Sequence, residues 1–462
     1  MKKIIIIGSG ITGLSAGWRL AGNKNDVQIF ESDNQIGGLA KTIKFKNHYF
    51  DLGPHSFFSE DREIYKTVKD LFQEDPGELP AKERLVKMYF MKKYVDYPLS
   101  AKSILLQMGP VVPFLCFVSF LKSYIFQFFN EKDKISNDEI TVKDWAINNF
   151  GNFLYKNFFK PYTEQFWKIS TEDLSHRVIP SSKKLDFAKT LKHLFFNKFL
   201  DISRREPNEL NIVQRESLPT FYPKKGFGEI ANKISEKIKY NKGKISLNEK
   251  VLKINILPNS SFEVFTEKKS YFCDIVISTI PLNQITKKIN PINNKKKLVA
   301  ISEKLEYLSL IVLNIITKKK SLGFQYCYYL HRPYNRVSNL NLFSEETSPH
   351  NESIFSLEIS CLPNSKMWNK TDKEIYEDCI DFLKKDIELD DADIINFKVI
   401  KAPNVYPIYK KDYTKNLESV SSELLKIRNF YSVGRLGQFY YGDIDQMMRI
   451  GFDIAKNINH EK

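Results

Sequence analysis

The run Lys3-Ile-Ile-Ile-Ile-Gly8-Ser9-Gly10-Ile11-Thr12-Gly13, followed by Val27-Gln28-Ile29-Phe30-Glu31, decides the fold. Four successive isoleucines without polar alternation are the pattern of a short strand buried on both faces. Three glycines in G-x-G-x-x-G spacing follow at once and open a helix over Thr12–Ala21, after which Val27–Glu31 reads as a second strand. A strand, a glycine turn, a helix and a strand make a parallel crossover unit. Gly8 permits the tight turn, Gly10 lets the backbone approach a pyrophosphate, and Gly13 lets helix and strand pack closely. The helix N-terminus offers unpaired N–H groups and partial positive charge to that phosphate. Glu31, closing the second strand, is placed to accept hydrogen bonds from the adenosine ribose. The opening segment is therefore expected to bind a dinucleotide.

Outward from this unit, Asp61–Phe72 has helical spacing, with Ile64, Val68, Leu71 and Phe72 on one face. Strands are expected at Ser261–Thr266, Asp274–Ile280, Glu306–Ile316 and Gln325–His331. At the far end, Asn429–Val433 reads as a strand running into Gly434, and Asp445–Ile458 as a helix with Met447, Ile450, Ile454 and Ile458 on one stripe. The expected fold class is α/β: a Rossmann-like domain with a parallel sheet, an inserted, mainly helical cap and a mixed-sheet substrate domain. The expected boundaries are 1–80, 226–290 and 400–462 for the first, 81–215 for the cap and 291–399 for the last.

The chain has 462 residues, 42% of them apolar and 27% charged, with 35 Phe and 23 Tyr, which excludes disorder, collagen and coiled coil. Seventy basic against 55 acidic residues give a net charge of +15. The lysines are scattered, which reads first as a solvated basic surface; beyond that, with no basic run among exposed aromatics, an anionic small ligand is expected rather than nucleic acid. Five cysteines without a C-x-x-C pair point to a reducing, cytoplasmic setting and to no metal site. The four isoleucines before Gly8 are too short for the apolar core of a signal peptide. Residues 103–121 carry no charge for 19 positions but are interrupted by Gln107, Pro110 and Pro113; the stretch reads first as a buried or capping helical region, with peripheral contact with a membrane face as the alternative. The oligomeric state is left open.

Glu31-Ser-Asp-Asn-Gln-Ile-Gly37-Gly38-Leu-Ala-Lys-Thr42 resembles the second glycine pair of FAD-binding enzymes in the amine oxidase and protoporphyrinogen oxidase superfamily. The resemblance implies that Gly37 and Gly38 pass against the pyrophosphate and that the cofactor is FAD. Lys250-Val251-Leu252 and Asp274-Ile-Val-Ile-Ser-Thr-Ile-Pro281 are similar to further motifs there, with Val251 expected near the adenine.

Within that superfamily, five motifs resemble UDP-galactopyranose mutases. Phe50-Asp-Leu-Gly-Pro-His55 is similar to a loop whose His lies over the flavin. Tyr155-Lys-Asn-Phe158-Phe-Lys-Pro-Tyr162-Thr163-Glu-Gln-Phe-Trp167 resembles the uridine-holding segment. Phe158 and Tyr162 are four apart, hence on one helical face, where two aromatic planes are expected to sandwich a base. Thr163 adds a hydroxyl, and Trp167 is expected to border the sugar. Pro333-Tyr-Asn-Arg336 and Tyr406-Pro407 resemble motifs that bind the diphosphate, a task that suits a planar guanidinium. Gly434-Arg435-Leu-Gly-Gln-Phe-Tyr-Tyr441-Gly-Asp443 resembles a segment serving flavin and phosphate.

The resemblance implies a pyranose–furanose mutase of a sugar nucleotide, with reduced flavin as nucleophile, in cell-surface polysaccharide biosynthesis. Catalytic roles then fall to His55, Arg336, Tyr406 and Tyr441. Three positions depart from the pattern: Ser181 and Leu308 stand where Arg is expected, and Phe439 where Tyr is expected. Arg177, Lys183 and Lys184 are candidates to replace the first. These departures keep an FAD-dependent oxidoreductase acting on an amine, a polyene or a porphyrinogen as the alternative.

Overall fold

The computed structural model describes residues 1–97, 107–129, 140–179 and 220–460. Its first layer is a five-stranded, wholly parallel sheet in the order Phe430–Ser432, Ile275–Ser278, Lys3–Ile7, Asp26–Phe30, Lys244–Ser246. The isoleucines of the central strand are all at or near zero exposure, as a strand with both faces covered requires. Helix Ile11–Gly22 lies on one face and packs against Ile444–His460. Its approach to the sheet depends on missing side chains, because a Cβ on Gly13 would stand 2.1 Å from the Gly8 carbonyl oxygen.

A second, seven-stranded mixed sheet runs Ile394–Pro407, Tyr307–Lys318, Glu352–Cys361, Arg336–Asn339, Tyr326–Tyr329, Val86–Phe90, Lys93–Asp96. All its neighbours are antiparallel except Tyr326–Tyr329 with Val86–Phe90. Two sequence expectations change here. Residues 86–96 fall in the segment read as mainly helical, yet they form a hairpin, because Val86, Met88 and Phe90 point inward at the two-residue period of a strand. Residues 400–407, read with the dinucleotide domain, finish the 14-residue edge strand of the second sheet.

The cap contains helices Val111–Phe129, Val142–Leu154 and Lys160–Trp167, the last two joined by a π-type turn over Tyr155–Phe159. Thr141 and Asp144 close a reciprocal capping box at the start of Val142–Leu154. The first two helices meet closely at Gly151, where a Cβ would lie 2.6 Å from the Phe120 nitrogen, and the Phe153 amide donates to Ser119 Oγ at 2.8 Å. Among the described residues no helix is long and apolar enough to cross a membrane.

Gly151 has a φ of +79°, so a substituted residue meets both a disfavoured backbone region and the neighbouring helix. Gly151→Val is expected to destabilise the cap by about 2–4 kcal/mol. Chemical unfolding followed by the fluorescence of Trp145, whose ring packs on Phe150, checks this.

Candidate active site

Both sheets contribute walls to one cleft of about 630 Å³. One end is built by the two glycine loops. The Gly37 amide donates to the Ser9 carbonyl at 2.9 Å, Gly10 bridges Gly37, and a Cβ on Gly38 would come within 3.1 Å of the Gly10 Cα. Helix Ile11–Gly22 begins at Gly10 with no side-chain cap and no acid in its first turn, so its leading N–H groups remain for a ligand. A Cβ on Gly10 itself would meet nothing within 4 Å; Gly10 lines the cleft, and a side chain there would stand in the ligand's space. Glu31 turns its carboxylate to this end, where Oε2 accepts from the Ser9 amide and hydroxyl, each at 2.8 Å. Val251 lines the cleft near Lys250 and Lys288.

The other end is aromatic and cationic. Arg336 extends from its strand to Glu358 on the neighbouring strand, directly opposite in register. Its Nε donates to Oε1 at 2.5 Å and its Nη2 to Oε2 at 2.6 Å, while Nη1 reaches the Tyr328 hydroxyl at 3.3 Å. Burial works against this charge, and Glu358 more than restores it, holding the guanidinium well above its ordinary pKa. Arg435 lies over the rings of Tyr406 and Tyr441, at 5.6 and 5.7 Å, and donates to the Gly442 carbonyl. Burial, with Tyr441 alongside, raises the Tyr406 hydroxyl above the usual tyrosine range, so it stays a proton donor at neutral pH.

His55 sits between the two ends, its ring stacked on Phe227 at 5.0 Å and 18°. Its Nδ1 is buried with no partner. Burial first, then the charges of Arg435 and Arg336, lower its pKa to about 4, so the ring is neutral at pH 7. Below it Asp51 ties the loop together, accepting from Thr42 Oγ1, from the Tyr222 hydroxyl at 2.6 Å and from the Phe227 amide at 3.1 Å. Burial pushes this carboxyl up to about 6.

The sequence-derived candidates Gly8, Gly10, Glu31, Gly37, Gly38, His55, Val251, Arg336, Tyr406, Arg435, Tyr441 and Asp443 all line the cleft. Gly13 lies behind it, against Gly8. Phe158, Tyr162, Thr163 and Trp167 stand behind the wall: Tyr162 meets Tyr328 edge-on at 5.7 Å, and Trp167 meets Tyr406 and Tyr441 at 6.3 and 5.9 Å. The expected sandwich is corrected, since Phe158 and Tyr162 stack on each other at 5.9 Å, the spacing of directly packed rings, which leaves no slot for a base between them. Thr163 is buried on the same helix. Leu308 is buried opposite Tyr406 in the sheet. Phe439 lies in the core against Tyr307 and Tyr409, so the tyrosine absent there was not a cleft hydroxyl. Ser181, Lys183 and Lys184 lie outside the described residues.

Sequence reading missed Glu358, Tyr328 and Asp51. Glu358 carried a signal, being the lone charge in the otherwise apolar or hydroxyl-bearing run Ser353–Cys361.

Residues 11–391 match the family described as flavin containing amine oxidoreductase. Among solved structures, a reduced UDP-galactopyranose mutase superposes with a TM-score of 0.80 at 20% identity, covering 99% of this chain and 96% of that one. A cofactor-site triple mutant of putrescine oxidase superposes at 0.68 and 12% identity, covering 100% and 99%. Among curated proteins, a 1-hydroxycarotenoid 3,4-desaturase of Flavobacterium sp. (strain P99-3) is 24% identical over 60% of this chain and 56% of its own length. A 4,4'-diapophytoene desaturase of Staphylococcus aureus (strain COL) is 41% identical over 66 residues, 14% of this chain and 13% of its own. The chain thus spans only part of these two curated relatives. The structural likenesses carry the fold.

The empty approach at Gly10, the uncapped helix and the unpartnered His55 nitrogen fit a dinucleotide with a ring system at the cationic end. Gly10→Val is expected to leave the protein folded but without bound cofactor, read as loss of visible absorbance in the purified protein. For His55 the unfolded ring takes a proton near pH 6.5 and the folded ring near 4. The unfolded state therefore binds more protons in that window, and stability falls on acidification through it, by on the order of 1–3 kcal/mol. Asp51, raised from 3.8 to about 6, acts in the opposite sense, losing stability as pH rises. Urea unfolding of cofactor-free protein at pH 7 and pH 5 is expected to give a smaller acid-side loss in His55→Asn than in the wild type.

Proposed function

The chain belongs to the flavin-containing amine oxidoreductase family and binds FAD, and from that premise we propose that it is a pyranose–furanose mutase of a sugar nucleotide. The observation that carries this reading is the cationic, hydroxyl-rich end of the cleft: Arg336 and Arg435, with Tyr328, Tyr406 and Tyr441, face the space beside His55. Donors of this kind suit a diphosphate that must leave and return. An apolar substrate has no use for them.

When bound, the flavin supplies a nucleophile toward an anomeric carbon if reduced, or a hydride acceptor if oxidised. The chain's own part is to hold and orient. The N-terminus of Ile11–Gly22 takes the cofactor pyrophosphate, and Glu31 accepts from the ribose hydroxyls. Asp443, which lines the cleft, would hold the ribityl chain. Glu358 fixes the Arg336 guanidinium through two hydrogen bonds, and Nη1 donates to the Tyr328 hydroxyl, which sets the plane that a substrate would meet. The Tyr406 and Tyr441 hydroxyls donate to phosphate oxygens. His55 stays neutral, and its unpartnered Nδ1 would be available to hold the flavin. Tyr162 and Trp167 position the wall tyrosines from behind, with Phe158 and Thr163 completing that layer.

A second reading, an FAD-dependent oxidoreductase, is favoured by one specific feature. Glu358 neutralises Arg336 inside the cleft, so this guanidinium brings little net charge to a diphosphate.

The test is anaerobic incubation of the dithionite-reduced protein with a panel of UDP-, GDP- and TDP-sugars, followed by chromatography, with the oxidised protein as control. Ring isomerisation in the reduced state alone, without net flavin oxidation, is the expected result. Tyr406→Phe is expected to keep its flavin and lose about 10- to 100-fold in kcat/KM. No conversion across the panel by protein with a normal flavin spectrum would move the assignment to the oxidoreductase.

A further inference from the structure

Helix Val111–Phe129 has one side fixed to the cap and one side turned outward. On the inner side Cys116 joins the cluster of Trp145, Ala146 and Phe150. On the outer side Val111, Phe114 and Phe126 are 65%, 65% and 68% exposed, and Leu121, Tyr124 and Ile125 are exposed with them. At 100° per residue these positions cover an arc of about 200°. Scattered single apolar residues are ordinary on a soluble surface, whereas a contiguous face of this width marks a contact. Lys122 is the helix's one charged residue, it falls inside the arc, and the helix contains no acid.

We propose that this helix docks the protein on an anionic phospholipid bilayer, lying along the boundary between headgroups and acyl chains. The arc wraps more than half of a convex cylinder, which a flat protein surface cannot follow and a fluid acyl layer can. Aromatic and aliphatic side chains together, with one lysine able to reach the headgroups along its stem, suit that boundary. The absence of acid on the helix and the chain's net charge of +15 are complementary to anionic lipid. The helix has 19 residues, about 28 Å, and its inner side is packed along helix Val142–Leu154 of the cap, so it lies on the membrane rather than through it. The docking holds for either reaction assigned to the cleft.

The test is flotation of the FAD-loaded full chain with vesicles of phosphatidylcholine and phosphatidylglycerol. The wild type is expected to float, and the double variant Phe114→Ser, Phe126→Ser to lose at least tenfold in bound fraction while keeping its flavin absorbance. Leu425→Ser, which removes a still more exposed residue on another helix, is expected to float like the wild type. Phe126→Trp should be quenched by brominated lipid. A wild type that does not float, or a double variant that floats undiminished, would overturn the proposal. So would a wild-type dimer that the double variant dissociates, because the face would then belong to a second copy.

Discussion

Two stretches of bare backbone pass each other at Gly10 and Gly37–Gly38, and the rest of the molecule is arranged around that crossing. The Gly37–Ser9 hydrogen bond and the 3.1 Å clearance at Gly38 leave no room for a Cβ on the facing side. The crossing points the first turn of helix Ile11–Gly22 into the cleft, and Gly13 brings that helix down onto the strand that ends at Gly8. A phosphate held there must lie along one line, and that line sets where a flavin ring and its substrate meet the second sheet.

The far end of the cleft follows a different rule. There, buried charge is tolerated because it is paired and hydrogen-bonded. Removing either Glu358 or Arg336 alone would strand the other in a poorly solvated place. Their strands hold them in direct register, so the pair costs little side-chain ordering, and the guanidinium plane is fixed before any ligand arrives. Arg435 is held differently, over two tyrosine faces and against a backbone carbonyl, which leaves its charge the more available of the two.

Much of the first sheet was legible in the sequence because its signals are local. Glycine spacing, an apolar tetrapeptide and a following acid are all read within about thirty residues. The hairpin at 86–96 was lost because aromatic richness suggests helix or strand equally, and its strand partner is Tyr326–Tyr329, more than two hundred residues away. The roles of Asp51 and Glu358 were hidden for a related reason, although Glu358 stood out as a lone charge: each is defined by distant partners, Tyr222 and Phe227 for one, Arg336 for the other. The pair Phe158 and Tyr162 was seen as a face but not as a second layer. Helical spacing says which rings share a side and nothing about what lies in front of them.

The parallel sheet draws its edge strand from Phe430–Ser432, and the segment just after it brings Arg435, Tyr441 and Asp443 to the cleft. A chain emerging from the ribosome therefore carries its glycine crossing early and waits for more than four hundred residues before the cleft can close. Until then the strand Ile275–Ser278 lacks its outer neighbour, and the cofactor has only half a seat. The cofactor's seat is complete only once the segment following Phe430–Ser432 is in place, and pairing strands so far apart in sequence is intrinsically slow.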